Sequence, residues 1–81
     1  MIECLYSDLK EGDLFSYNCK YVACFVGDKM KRIKGDKRIY LKEKDGGALQ
    51  IVDARGYYIP NPTFKEWPFY SMKVFKVEVK I

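Results

Sequence analysis

The last seven residues of the chain, from Phe75 to Ile81, alternate apolar and charged side chains with a period of two. In an extended chain, such alternation places every second side chain on the same face. The pattern predicts a β-strand over residues 73–81 with one buried and one hydrated face. The residues expected on its buried face are Phe75, Val77, Val79 and Ile81.

Upstream, short apolar runs separated by turn residues predict further strands. They cover residues 13–17, 20–26, 29–34, 37–44 and 48–54. Asn18-Cys19 and Gly35-Asp36 fit hairpin turns between consecutive strands. At Asp45-Gly46-Gly47 we expect a three-residue loop, because that register sets Leu41 opposite Ile51 and Tyr40 opposite Val52.

No segment has sustained helical periodicity, although residues 7–11 and 63–67 fit single helical turns. The chain is 48% hydrophobic and 16% aromatic, which is typical of a folded protein rather than a disordered one. Residues 1–81 are therefore predicted to form a single all-β domain, a small five-stranded antiparallel barrel of the SH3-like or OB-like kind. An aromatic, proline-rich loop interrupts it. The core of so short a chain is thin, so self-association stays open.

The segment Leu9-Lys10-Glu11-Gly12-Asp13-Leu14-Phe15 resembles the L-K-x-G-D-x-F start of many short phage and bacterial accessory proteins. The resemblance implies that Leu9 and Phe15 enter the floor of a small barrel. It also implies that the K-x-G-D piece turns the chain into the first strand. It carries no functional residue with it.

Three cysteines and no histidine limit the chemistry of the chain. The odd cysteine count does not fit a disulfide framework, and there is no membrane-length apolar run or signal-peptide pattern, so a cytoplasmic protein is expected. Cys4, Cys19 and Cys24 are expected to be reduced and passive. Without histidine, neither a metal site nor general-base catalysis is expected, and no cofactor is implied. The sequence favours a non-enzymatic protein.

The net charge of +4 lies entirely in residues 28–38, which hold six basic and two acidic residues. If Met30, Ile39 and Leu41 point inward, the other face gathers a predicted anion site: Lys29, Lys31, Arg38, Lys42 and Tyr40. Cations beside a ring suit phosphate and a stacked base. The alternative is a lysine-rich edge that prevents strand pairing between molecules.

Residues 57–70 contain six of the thirteen aromatic residues and all three prolines. They are interpreted either as a lid over one end of the barrel or as a contact surface. Tyr57, Tyr58 and Trp67 are the candidate ligand-binding rings of this segment.

The sequence is compatible with two classes of function. The first is a non-enzymatic binding protein for a phosphate-bearing ligand, either nucleic acid or a nucleotide-type signal, which a phage-type accessory protein would sequester. The alternative is a protein-interaction module that inhibits a host protein through residues 57–70, or a self-assembling structural subunit. A homo-oligomer is compatible with each of them.

Overall fold

The computed structural model describes residues 2–17, 23–26, 29–32, 38–77 and 79–80, with side chains described for residues 3–17 and 38–77. Apart from one short 3₁₀ helix, Tyr6–Asp8, all of its regular elements are strands. The strands are β1 (Ile2–Leu5), β2 (Leu14–Ser16), β3 (Ala23–Val26), β4 (Lys29–Arg32), β5 (Ile39–Lys42), β6 (Ala48–Val52), β7 (Lys65–Glu66), β8 (Lys73–Lys76) and β9 (Val79–Lys80). The predicted all-β class is confirmed.

The strands form two sheets. Six of them form an antiparallel sheet in the order β1-β8-β2-β5-β6-β7, and the other three follow the order β4-β3-β9, with β9 parallel to β3. In the described part of the chain, β1 and β7 are the edges of the larger sheet and do not pair with each other. The sequence predicted about five strands in a closed barrel, whereas the described residues form nine shorter strands, six of them in an open sheet.

Strand β5 lies inside the larger sheet and buries side chains on both faces. Ile39 and Tyr40 are adjacent and therefore point to opposite faces, and both are almost fully buried. One face carries an aromatic cluster with Tyr6, Leu9, Phe15, Tyr40, Ala48 and Val74. The other carries a smaller aliphatic cluster with Ile39, Val52 and Val77. This two-sided burial explains why the strand is almost continuously apolar rather than alternating.

Phe15 is the centre of the aromatic cluster. The centroid of its ring lies 5.3 Å from that of Tyr6, 5.5 Å from that of Tyr17 and 5.7 Å from that of Tyr40. The contacts with Tyr6 and Tyr17 are edge-to-face and the contact with Tyr40 is stacked, which are favourable arrangements for aromatic pairs. Four large rings thus supply much of the core of a short chain.

The burial of Leu9 and Phe15 agrees with what the L-K-x-G-D-x-F segment implies. Between them the chain turns, because the Lys10 N–H donates to the Asp13 carboxylate at 2.8 Å and Gly12 has a φ of +92°. The short helical turn expected near residues 7–11 begins one residue earlier, at Tyr6. The turn expected at residues 63–67 is wrong, because this stretch contains β7.

Two of the predicted hairpins are wrong. Strand β5 has β2 and β6 as its neighbours while β4 pairs with β3, so β4 and β5 do not form the hairpin expected across Gly35-Asp36. Likewise β2 pairs with β5 and β8 rather than with β3 across Asn18-Cys19. Both turn pairs lie outside the described residues. Local turn propensity did not decide the pairing, because β2 and β5 pair with each other inside the larger sheet.

The loop between β5 and β6 has the predicted length but starts one residue earlier. The Glu43 N–H donates to the Gly47 carbonyl at 2.9 Å, which leaves residues 44–46 as the loop and places Gly46 at a φ of +90°. Tyr40 therefore faces Gln50 and not Val52. A register shift between Ile39 and Tyr40 then brings Val52 opposite Ile39, on the aliphatic face.

The C-terminal strand is divided between the two sheets. β8 belongs to the larger sheet and β9 to the smaller one. Val77 is buried as predicted, while Phe75 is only half-buried and Val74, expected on the wet side, is fully buried in the aromatic cluster. The simple alternation failed because both faces of the larger sheet are covered. The side chains of Val79 and Ile81 lie outside the described residues. Among the described residues, no helix is long and apolar enough to cross a membrane.

Candidate interaction surface

Two members of the predicted anion site are part of the interior. Tyr40 is 2% exposed and stacks on Phe15, so the prediction that it stacks on a base is wrong. The Lys42 ammonium donates to the carbonyl of Tyr6 at 3.0 Å and to the carbonyl of Leu9 at 2.7 Å. It also lies 4.6 Å from the centroid of the Tyr6 ring. Lys42 therefore holds the 3₁₀ helix on the sheet, and its assignment to an anion site is wrong.

The other three cations of that site remain predicted anion-binding residues. Lys29 and Lys31 lie on β4, where the structure describes the backbone pairing with β3 but not the side chains. Arg38 is exposed and directly precedes β5. Tyr40 and Lys42 were misplaced because the predicted hairpin of β4 and β5 assumed that one face of β5 is open to water.

All six rings of residues 57–70 are exposed. The exposed fractions are 53% for Tyr57, 36% for Tyr58, 55% for Phe64, 64% for Trp67, 79% for Phe69 and 69% for Tyr70. The lid interpretation is therefore wrong for this segment. The core has no place for these rings, because Tyr6, Phe15, Tyr17 and Tyr40 already fill the aromatic face of the sheet.

Residues 58–66 form the outer border of the larger sheet beside β6. The border pairs with β6 at Tyr58 and again along β7, and residues 60–63 lie between these two contacts. This stretch contains Pro60 and Pro62, and Asn61 between them has a φ of +52°. Prolines lack the N–H that a further strand would need, so this edge is protected against strand addition.

The residues that follow β7 form a short connection, which we call the aromatic loop (residues 67–72). The aromatic loop links β7 at one edge of the sheet to β8, and it is anchored to the 3₁₀ helix by backbone hydrogen bonds. The Tyr6 N–H donates to the Met72 carbonyl at 2.8 Å, and the Ser7 N–H donates to the Tyr70 carbonyl at 3.0 Å. A fixed backbone thus presents exposed side chains: Trp67, Phe69, Tyr70 and Met72.

Lys65 joins the aromatic loop to the loop between β5 and β6. Its ammonium pairs with the carboxylates of Asp45 and Glu43, the latter at 2.9 Å, and lies 5.2 Å from the centroid of the Trp67 ring. The hydrogen bond from Lys65 lowers the pKa of Asp45, and the two carboxylates raise the pKa of Lys65. The charges around Trp67 are therefore largely matched within the chain.

A second contact fixes β7 from the core side. The Tyr17 hydroxyl donates to a carboxylate oxygen of Glu66 at 2.8 Å, and the Tyr17 ring packs edge-to-face on Tyr40. Burial and the adjacent Glu66 carboxylate raise the pKa of Tyr17 well above its usual value. The hydroxyl therefore stays protonated and serves as a donor. Lys65 and Glu66 together fix the strand from which the aromatic loop begins.

Tyr57 and Tyr58 lie near the turn at the other end of β6. The Asp53 carboxylate accepts from the Arg55 N–H at 2.9 Å and from the Tyr57 N–H at 3.1 Å, and these bonds, that from Tyr57 first, lower the pKa of Asp53. The Arg55 guanidinium lies 5.6 Å from the centroid of the Tyr57 ring and 3.5 Å from the Asp53 carboxylate. The pair Asp53 and Arg55 stabilises the turn, and it forms no separate site.

Sequence reasoning missed two contributors to this surface. Met72 is an exposed apolar residue of the aromatic loop, and the Lys65 ammonium lies close to the Trp67 ring. The W-P-F-Y-S-M run contained the signal for Met72. Cys4 is a half-buried free thiol whose pKa is raised by burial. In the described part of the chain, no group of three potential ligands is placed to hold a metal ion.

Comparison of the chain with protein families, curated proteins and solved structures found no match. The function is therefore argued from the surface alone.

Proposed function

We propose that the chain is a non-enzymatic interaction module that binds another protein molecule through the exposed rings of residues 57–70. The single observation that carries this proposal is the exposure of all six rings on a backbone that is hydrogen-bonded to the sheet. Tyr and Trp are enriched where protein interfaces concentrate their binding energy. A backbone fixed before binding lowers the entropic cost of association.

The charge balance favours a protein partner over a polyanion for this surface. The regions with described side chains, residues 3–17 and 38–77, contain eight basic and eight acidic residues and are neutral overall. Nucleic-acid interfaces are strongly positive, because phosphate neutralisation supplies most of their affinity. An aromatic surface with matched charges suits the apolar centre and polar rim of a protein interface.

Site-specific photo-crosslinking in the cells that produce the protein tests the proposal. A photoreactive phenylalanine analogue at position 69 is expected to give adducts of defined mass with a polypeptide. The matched control carries the analogue in place of Glu11, which is exposed in the turn before β2 and lies outside the aromatic loop. Adducts at position 69 that are absent at position 11 support the proposal. Equal yields at both positions, or none at position 69, contradict it.

A second candidate function rests on a separate observation. The whole excess of positive charge lies in residues 28–38, and Lys29, Lys31 and Arg38 remain as cations for a phosphate-bearing ligand, a nucleic acid or a nucleotide-type signal. Lys31→Glu with Arg38→Glu is expected to abolish retention on heparin, and retention equal to the unmodified chain would refute this site. Salt separates the two candidates, because phosphate binding weakens steeply with ionic strength.

The proposal also extends to a closed barrel and to a phage-type accessory role. A barrel of the SH3-like or OB-like kind would require closure beyond the described pairings of the six-stranded sheet. A phage-type accessory role, in which the aromatic segment inhibits a host protein, follows only from the L-K-x-G-D-x-F resemblance.

A further inference from the structure

The aromatic loop combines three properties that together specify a partner. Its rings are exposed, its backbone is anchored, and its neighbouring charges cancel. We infer that the aromatic loop is the interface of a homodimer, in which it packs against the same loop of a second copy. This inference rests on the function proposed above.

The exposed area is on the scale of an interface. Aromatic side chains bury about 150–250 Å² each, so three rings exposed by about two-thirds or more present on the order of 400 Å². These rings are Trp67, Phe69 and Tyr70. A specific interface buries roughly 800 Å² per partner, of which the rings alone would supply about half. Met72, which belongs to the loop and is more than a third exposed, adds to the same surface.

The charges next to the loop suit self-association. A two-fold interface brings identical surfaces together, so a patch with one sign of charge would repel its own copy. Here Lys44 and Lys65 balance Glu43 and Asp45, and Lys65 is bonded to both carboxylates. A second copy therefore meets a surface with no net charge, on which opposite charges can pair around the rings.

The small core also favours a partner that is always present. Nine hydrophobic side chains are buried in the described residues, while eight large hydrophobic side chains stay exposed. A lone molecule that permanently displays this surface would be prone to nonspecific aggregation. A second copy is produced along with the first, and homodimer interfaces are more apolar than those of transient complexes.

Sedimentation velocity over a concentration series tests the inference with Phe69→Lys. Phe69 is the most exposed ring of the aromatic loop, so its replacement leaves the core intact, while the dimer would bring the two introduced charges together. We expect the dimer Kd to rise about 30-fold or more, the loss typical of an interface hot spot. Ala54→Lys, at an exposed position in the turn at the other end of β6, is the matched control and should change Kd less than about threefold.

Trp67 supplies a second measurement, because it is the only tryptophan and is 64% exposed. Its emission should shift to shorter wavelength as the unmodified protein is concentrated, and this readout decides the question even if Phe69→Lys fails to fold. A monomer at every concentration, or equal dissociation by both variants, overturns the inference. If position 69 crosslinks to a different polypeptide while the protein stays monomeric, the homodimer is refuted and the proposed function stands. No adduct at all refutes both.

Discussion

Lys42→Met tests whether a single half-buried ammonium holds the 3₁₀ helix and, through it, the aromatic loop. The Lys42 ammonium donates to the Tyr6 and Leu9 carbonyls, and the helix donates in turn to the carbonyls of Tyr70 and Met72. Methionine keeps most of the apolar stem and removes only the charged donor. The variant therefore isolates the contribution of the ammonium.

The expected loss follows from the individual contacts. A hydrogen bond involving a charged group contributes about 1.5–3 kcal/mol, and a cation–π contact at a partly exposed site about 0.5–1 kcal/mol. The Tyr6 carbonyl keeps a bond from the Leu9 N–H at 3.2 Å, so the Leu9 carbonyl suffers most. We expect the free energy of unfolding to fall by about 2–4 kcal/mol, a large part of the stability of a small domain.

Urea and thermal unfolding at one fixed protein concentration measure this loss. The melting temperature should fall by roughly 10–30 °C, given about 4–8 °C per kcal/mol for a chain of this size. Lys73→Met makes the same substitution at an exposed lysine on β8 and should change the stability by less than about 0.5 kcal/mol. If the two variants lose the same amount, water replaces the ammonium and the proposed anchoring is wrong.

The sequence predicted the type of secondary structure better than the pairing of the strands. All-β structure and the burial of Val77 follow from local patterns, and both are observed. The turn at residues 10–13 and the burial of Leu9 and Phe15, which are also observed, were implied by the L-K-x-G-D-x-F resemblance. Strand pairing depends on which faces are covered, and a pattern within one strand does not contain that information. Tyr40 shows the consequence, because one wrong hairpin register moved a core ring to the predicted surface.

The sequence could predict which segment forms the candidate surface, but not whether its rings are buried or exposed. Aromatic and proline density singled out residues 57–70, yet the choice between a lid and a contact surface depended on rings elsewhere in the chain. Tyr6, Tyr17 and Tyr40 come from three distant segments to fill the aromatic face. The rings of residues 57–70 stay exposed because residues from other parts of the chain occupy the core.

Three further predictions concern the contacts that support the surface. Tyr17→Phe should lower the free energy of unfolding by about 1–3 kcal/mol, because the half-buried Glu66 loses its donor, and adding Glu66→Met should recover much of the loss. Urea unfolding of the unmodified chain and the two variants measures this, and a double variant no more stable than Tyr17→Phe would contradict the reasoning. Val77→Asp should abolish cooperative thermal unfolding, because it places an unpaired carboxylate in the aliphatic cluster, and an unchanged transition would show that Val77 is not part of the core. The last prediction concerns acid stability. The pKa of Asp45 is lowered in the folded chain, first by the hydrogen bond from Lys65 and then by the Gly47 N–H. A carboxyl group with a lowered folded pKa contributes stability above its unfolded pKa of about 3.9, and this contribution is lost as the pH falls through the folded pKa. Asp45→Asn can still accept from the Gly47 N–H but cannot titrate, so its free energy of unfolding should fall less steeply below about pH 5 than that of the unmodified chain. Glu11→Gln, at an exposed position, is the control and should follow the unmodified chain. Identical acid slopes for Asp45→Asn and the unmodified chain would mean that the Lys65 contact exists without stabilising the ionised carboxylate, and Lys65 would then not hold the aromatic loop through charge.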